Sequence, residues 1–192
     1  MTPWRLFGAG GGTIAAPMNT RFLTALILSL LAALPASAET KKPAAAAHAT
    51  SAAPKKIGEF GDWTAATHQE GGQAVCYAFT RAQTSAPALS GRGPVILTVT
   101  ERASGRDAVA IEAGLTYAAN AAVTVQVDQT ALEFYTAGRN AFARDGKATV
   151  AAFGKAGRAV ARSPAPKEVA DTFSLKGFGE AYKAIVKACP AK

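Results

Sequence analysis

Two cysteines, Cys76 and Cys189, are the only ones in the chain, and 113 positions separate them. If they pair, one covalent link joins the start of the patterned region to its end. Whether they pair depends on the compartment, because thiols stay reduced in the cytosol and oxidise outside it. The N-terminal sequence bears on that choice. Met18-Asn19-Thr20-Arg21 leads into the apolar run Phe22–Leu34, and Pro35-Ala36-Ser37-Ala38 follows before Glu39. A positive start, a short apolar core and an Ala-x-Ala end read as a secretory signal peptide over residues 1–38, cleaved after Ala38. The run is shorter than the roughly 20 residues that span a bilayer, so it does not read as a membrane anchor. Met18 reads as the true start, since residues 1–17 carry a Gly10-Gly11-Gly12 run and no structural pattern. Export then predicts a Cys76–Cys189 disulfide, with two buried unpaired thiols as the alternative. No Cys-x-x-Cys spacing occurs, and the exported part holds only His48 and His68, so neither a metal nor another cofactor is expected.

The formal charge of +8 suggests a nucleic-acid partner until it is divided along the chain. Its excess sits largely in the leader and in residues 39–56, ETKKPAAAAHATSAAPKK, while the acids and bases from Ile57 onward nearly balance. Nucleic acid is therefore not an expected partner. Residues 39–56 hold no large apolar side chain to bury and read as a disordered Ala/Pro/Lys linker. A solvated spacer accounts for its four lysines, which also leave room for weak contact with an anionic membrane surface.

Residues 57–190 form the expected domain. Ile57–Thr67 reads as a first strand with Trp63 as its main core residue, and His68-Gln69-Glu70-Gly71-Gly72 as a turn. Gln73–Arg81 returns as a strand in which Val75, Tyr77 and Phe79 alternate with Cys76, Ala78 and Thr80. Further strands are expected at Val95–Thr100, Ala108–Ala113, Asn140–Arg144, Arg158–Arg162 and Val169–Leu175. A hairpin is expected from Val123–Asp128 and Leu132–Thr136, and Gln83–Pro94 reads as a loop. Asp145-Gly146 reads as a turn, and Ala148–Lys155 as a short helix ended near Gly157. Short strands at intervals of about ten residues, with Gly and Pro between them, predict an antiparallel β-sandwich, with a small β-barrel as the alternative. After the last strand the period changes. Phe178, Ala181, Tyr182, Ile185, Val186 and Cys189 fall on one helical face, which predicts an amphipathic helix stopped by Pro190 that carries Cys189 to the sandwich.

Four segments in this order, Ile57-Gly58-Glu59-Phe60-Gly61-Asp62-Trp63, Gly71-Gly72-Gln73-Ala74-Val75-Cys76-Tyr77, Phe134-Tyr135-Thr136-Ala137-Gly138 and Asp171–Phe178 leading to Cys189, resemble the invasion-associated locus B family of secreted proteins. The resemblance implies an immunoglobulin-like β-sandwich, a location in the periplasm or at the outer membrane, and, for founding members, a part in entry into host cells. It brings no agreed catalytic residues. Where many members carry a basic, Gly- and Thr-rich stretch before the last strand, this chain has Ser163-Pro164-Ala165-Pro166-Lys167-Glu168.

For function the sequence offers little acid-base machinery. His68 reads as a surface turn residue, the acids as solvated groups at strand edges, and Trp63, Phe134 and Phe178 as core. No Gly-x-Ser-x-Gly or phosphate-cradling loop occurs. The expectation is a non-enzymatic envelope protein that acts by binding an envelope or host protein. Arg102, Arg106, Arg139, Arg144, Arg158 and Arg162, near strand ends and turns, are the candidate basic face. The alternative is a periplasmic enzyme or small-molecule-binding protein.

Overall fold

The structure is a computed structural model and describes residues 53–164 and 168–191. The expected signal peptide and nearly all of the expected linker lie outside the described residues. Lys55 and Lys56, read as the linker's end, instead open the first strand. The elements run β1 Lys55–Phe60, β2 Trp63–Glu70, β3 Gln73–Arg81, β4 Thr84–Ala86, β5 Ile96–Arg102, β6 Gly105–Glu112, β7 Ala122–Val127, β8 Thr130–Ala137, β9 Asn140–Ala143, α1 Gly146–Phe153, β10 Arg158–Ser163, β11 Val169–Ser174 and α2 Phe178–Ala188.

The strands form one antiparallel ladder in the order β1-β2-β3-β5-β6-β9-β8-β7-β10-β11-β4. Its turn back on itself occurs where β3 ends. Ala82 N–H still donates to Val95 O, at 2.9 Å, beside β5, whereas Gln83 N–H donates to Thr172 O, at 2.8 Å, on β11. One extended segment therefore neighbours β5 in its first part and β11 in its last, which brings the two halves of the ladder together around a shared core. β1 and β4 remain the ends of the ladder, so the molecule is the expected antiparallel sandwich and not a closed barrel. The core follows the alternation of the strands. Cys76 and Ala78, Leu97 and Val99, Val109 and Ile111, and Val123, Val125 and Val127 are all buried.

Three expectations are corrected. The first strand is two, because Gly61 takes φ 56 and turns the chain into a hairpin. His68 lies inside β2, not in a turn, and the turn is Gly71-Gly72 alone. The Gln83–Pro94 loop contains β4. The expected helix near residue 150 is α1, capped by Asp145, whose side chain accepts from Ala148 N–H at 2.9 Å; it ends at Gly154, before Gly157.

α2 packs on β1, β2, β3 and β5. Phe178, Ala181 and Ile185 are its buried residues, and the Phe178 ring lies 4.9 Å from Trp63 and 5.5 Å from Phe153. Trp63 also donates from Nε1 to Ser174 O at 3.0 Å. Beside this contact the first hairpin meets the start of α2 backbone to backbone. Asp62 N–H donates to Lys176 O at 3.0 Å. A Cβ on Gly61 would sit 2.6 Å from Lys176 O, and one on Gly177, which has φ 86, would sit 2.0 Å from Phe60 O. Only glycine fits either place.

The far end of α2 is held covalently. Cys76 and Cys189 form a disulfide, with Cα atoms 5.9 Å apart. Closing so long a loop restricts the unfolded chain, so Cys76→Ser/Cys189→Ser should unfold at lower denaturant concentration, with a loss of about 2–5 kcal/mol. Equilibrium unfolding of the oxidised protein and the double variant measures it.

Candidate functional site

The six arginines do not form the basic face expected from sequence, because the ladder spreads them and acids engage most of them. Arg102 Nε lies 3.1 Å from Glu70, Arg106 Nε 2.6 Å from Glu101, Arg144 Nε 3.7 Å from Glu133 and Arg162 Nη1 3.4 Å from Glu168. Arg144 also lies over the Tyr135 ring, 5.8 Å from its centre. Arg102 and Arg106 flank the β5–β6 turn, whereas Arg139 precedes Asn140, which pairs with Glu112 at the opposite end of β6. Arg158 and Arg139 are exposed.

Two acids expected at solvated strand edges are instead fully buried, Glu101 and Asp171, each 0% exposed. Asp171 forms a bidentate pair with Arg92, both contacts at 2.8 Å, and accepts from Ser85 Oγ at 2.7 Å. Arg92 Nε donates to Ala113 O at 2.7 Å, so the guanidinium ties the loop before β5 to β11 and to the end of β6. The Tyr117 and Ser163 hydroxyls are buried without an aligned partner among the described residues. Burial raises the Tyr117 pKa, and the Ser163 hydroxyl acts against that rise.

Glu101 lies at the disulfide end. Its Oε1 accepts from Asp107 N–H at 3.1 Å, while Oε2 lies near Arg106 Nε without an aligned hydrogen bond. Arg106 Nη1 donates to Cys189 O at 2.5 Å, and Tyr182 Oη donates to Asp107 Oδ1 at 2.5 Å. The cluster thus links two places on α2 to the β5–β6 turn. Burial pushes the Glu101 pKa up, against the pull of the Asp107 N–H and the Arg106 charge. Burial and the hydrogen bond to Asp107 raise that of Tyr182. No group of three or more metal-ligating side chains occurs among the described residues.

The surface carries two further features. Between α1 and α2 lies an open groove of about 650 Å³, floored by Val150, Phe153, Leu175 and Phe178 and edged by Lys155 and Lys183. On the side of β2, β3 and β5 away from the core, His68, Tyr77 and Phe79 form an aromatic strip, with ring centres 5.5 and 6.1 Å apart. Thr64, Thr98 and Thr100 share that side, since cross-strand partners point the same way. At one end of the strip His68 Nε2 lies 2.9 Å from Glu70, which also binds Arg102. At the other end a depression of about 350 Å³ opens beside Phe79, with Asp62, Thr64, Arg81 and Gln83 in its wall.

These features define a disulfide-closed β-sandwich domain with a docked C-terminal helix. The chain belongs to the invasion associated locus B (IalB) protein family, whose sequence pattern matches residues 63–186. The crystal structure of invasion associated protein b from Bartonella henselae shares the fold, with a TM-score of 0.51 at 20% identity over 68% of this chain and 95% of that one. Among curated proteins none matches.

Sequence reading missed Arg92, Asp171 and Glu101 as structural centres, although a signal was present for the two acids. Asp171 lies in phase with buried Val169 and Phe173, and Glu101 with buried Leu97 and Val99. An acid in phase with a core face is itself buried.

Arg92→Ala strands the Asp171 carboxylate and should cost about 3–5 kcal/mol of stability, read from urea unfolding. Arg92→Lys should recover only part, because an ammonium cannot reproduce the fork to Asp171 and the bond to Ala113 together. At Glu70, Arg102's hydrogen bonds, with His68's behind them, hold the carboxyl down to about 2. Its folded pKa is below its unfolded value of about 4.3, so its contribution is present above the latter and is lost as pH falls toward the former. The pair is largely exposed, which limits that contribution to about 1 kcal/mol or less. Glu70→Gln and wild type should therefore differ slightly at neutral pH and converge by about pH 2 in acid unfolding.

Proposed function

We propose that the chain is an exported, non-enzymatic envelope protein that acts by binding through its surface. Its place is the periplasm or the outer membrane, or the exterior, after cleavage near Ala38, and its partner is an envelope or host protein. The observation that carries this reading is the disposition of the ionisable groups. Arg92, Asp171 and Glu101 are buried in clusters that tie secondary structure together, whereas the depressions open to solvent combine apolar floors with ordinary surface side chains. Surfaces of that kind bind by shape and local hydrogen bonding. Membership of a family described by invasion agrees with a role at the cell boundary.

Fractionation of intact cells, followed by crosslinking and mass spectrometry, tests the reading. The expected result is a mature chain that begins at Glu39, recovered from the envelope or medium with one reproducible partner. An uncleaved chain confined to the cytosol, or a mature chain that crosslinks to nothing, overturns it.

A further inference from the structure

The depression beside Phe79 has a composition that points to a ligand class. Phe79 offers a half-buried ring. Around it stand Asp62, which only accepts hydrogen bonds, Arg81, which only donates, and Gln83, which does both. Among the described residues, none of these three side chains has a hydrogen-bond or ion-pair partner. One carboxylate and one guanidinium on the same wall cancel, so a net anion meets Asp62 and a net cation meets Arg81. A neutral ligand rich in groups that donate and accept meets neither penalty. The floor next to the depression is also uncharged. Tyr77, Thr64, Thr98 and Thr100 continue along it, and the charges at its far end, Glu70 and Arg102, are occupied with each other.

A peptide strand is a poor occupant. β3 is an interior strand whose backbone pairs with β2 on one side and β5 on the other, so it offers no free edge for added main-chain hydrogen bonds. A sugar ring has the complementary surface: an apolar C–H face for an aromatic ring and a rim of hydroxyls that donate and accept.

We propose that the depression and the aromatic strip beside it bind a neutral glycan strand, with one sugar ring stacked on Phe79 and held by Asp62, Arg81 and Gln83, and later units running over Tyr77. The proposal rests on the surface-binding reading and names the chemistry of one partner.

Titration calorimetry of the mature chain with cellotetraose and with tetra-N-acetylchitotetraose tests it, with tetragalacturonate as the acidic counterpart. At least one neutral tetrasaccharide should bind and the acidic one should not. Phe79→Ala should weaken binding about two- to tenfold. Asp62→Ala and Gln83→Ala alter exposed side chains, so they test the wall even if Phe79→Ala unfolds, and each should weaken binding by a similar factor. Lys147→Glu on exposed α1 should leave it unchanged. Failure of both neutral probes to bind overturns the proposal, as does unchanged affinity in folded Phe79, Asp62 and Gln83 variants, or binding of tetragalacturonate as tight as that of the neutral probes. A chain that binds neither neutral probe yet crosslinks to an envelope protein overturns the glycan assignment and leaves the surface-binding reading standing.

Discussion

The contact on which the rest of the molecule depends is the junction of Gly61 and Gly177, with Trp63 against Phe178 beside it. Here the first hairpin and the start of the last helix touch through backbone, and the closeness that excludes a Cβ also lets Trp63 reach Ser174 O. The junction sets where α2 begins, and geometry sets where it ends. From Phe178 to Cys189 a helix advances about 16 Å. Along β3, from Thr80 level with Trp63 to Cys76, the strand covers about 14 Å. A helix laid beside β3 therefore arrives with Cys189 next to Cys76. The disulfide locks a position that non-covalent packing has already chosen.

The two buried acids show what this closure requires of the polar groups it encloses. An isolated carboxylate in a core costs far more than a surface ion pair returns, so a buried one persists only when it is paired and hydrogen-bonded. Asp171 meets that condition fully, with a guanidinium fork and a serine hydroxyl. Glu101 meets it only in part, because one oxygen faces Arg106 out of line. The difference follows from geometry. Arg92 reaches Asp171 from a loop that can adjust, whereas Arg106 must serve Glu101 and Cys189 O from within β6 itself.

How much of this was legible in the sequence varies with the range of the cause. The hairpin β7–β8, the strand β3 and the amphipathic α2 are written in local periodicity, and the disulfide in a cysteine pair behind a stretch that reads as a secretion signal. Gly61 was not read as a turn because the residues on both sides look extended, and the reason for a glycine there is a contact with Lys176 far along the chain. His68 was misplaced for a related cause: polar residues before Gly71-Gly72 resemble a turn, yet β3 pairs with them to the end of the hairpin. The arginine face failed because proximity to strand ends says nothing about which end, and the strand order that decides it is set by long-range pairing. The depression beside Phe79 draws Asp62 from one turn and Arg81 and Gln83 from the end of another strand, a juxtaposition that only the fold supplies.

The acids at the disulfide end of the molecule also respond to pH in opposite senses. Glu101 has a raised folded pKa because burial disfavours its charge, so its contribution to stability is full at low pH and is lost as pH rises through that value. Glu70, held down to about 2 by Arg102 first and His68 second, contributes above its unfolded value and loses that contribution only as pH falls toward 2. Falling pH thus relieves the buried acid before it releases the exposed one. Asp107 links Glu101 to Tyr182 on α2, so the buried acid belongs to the contacts that hold the helix. On these two groups alone, falling pH removes the contribution of the exposed pair while the buried acid keeps its own.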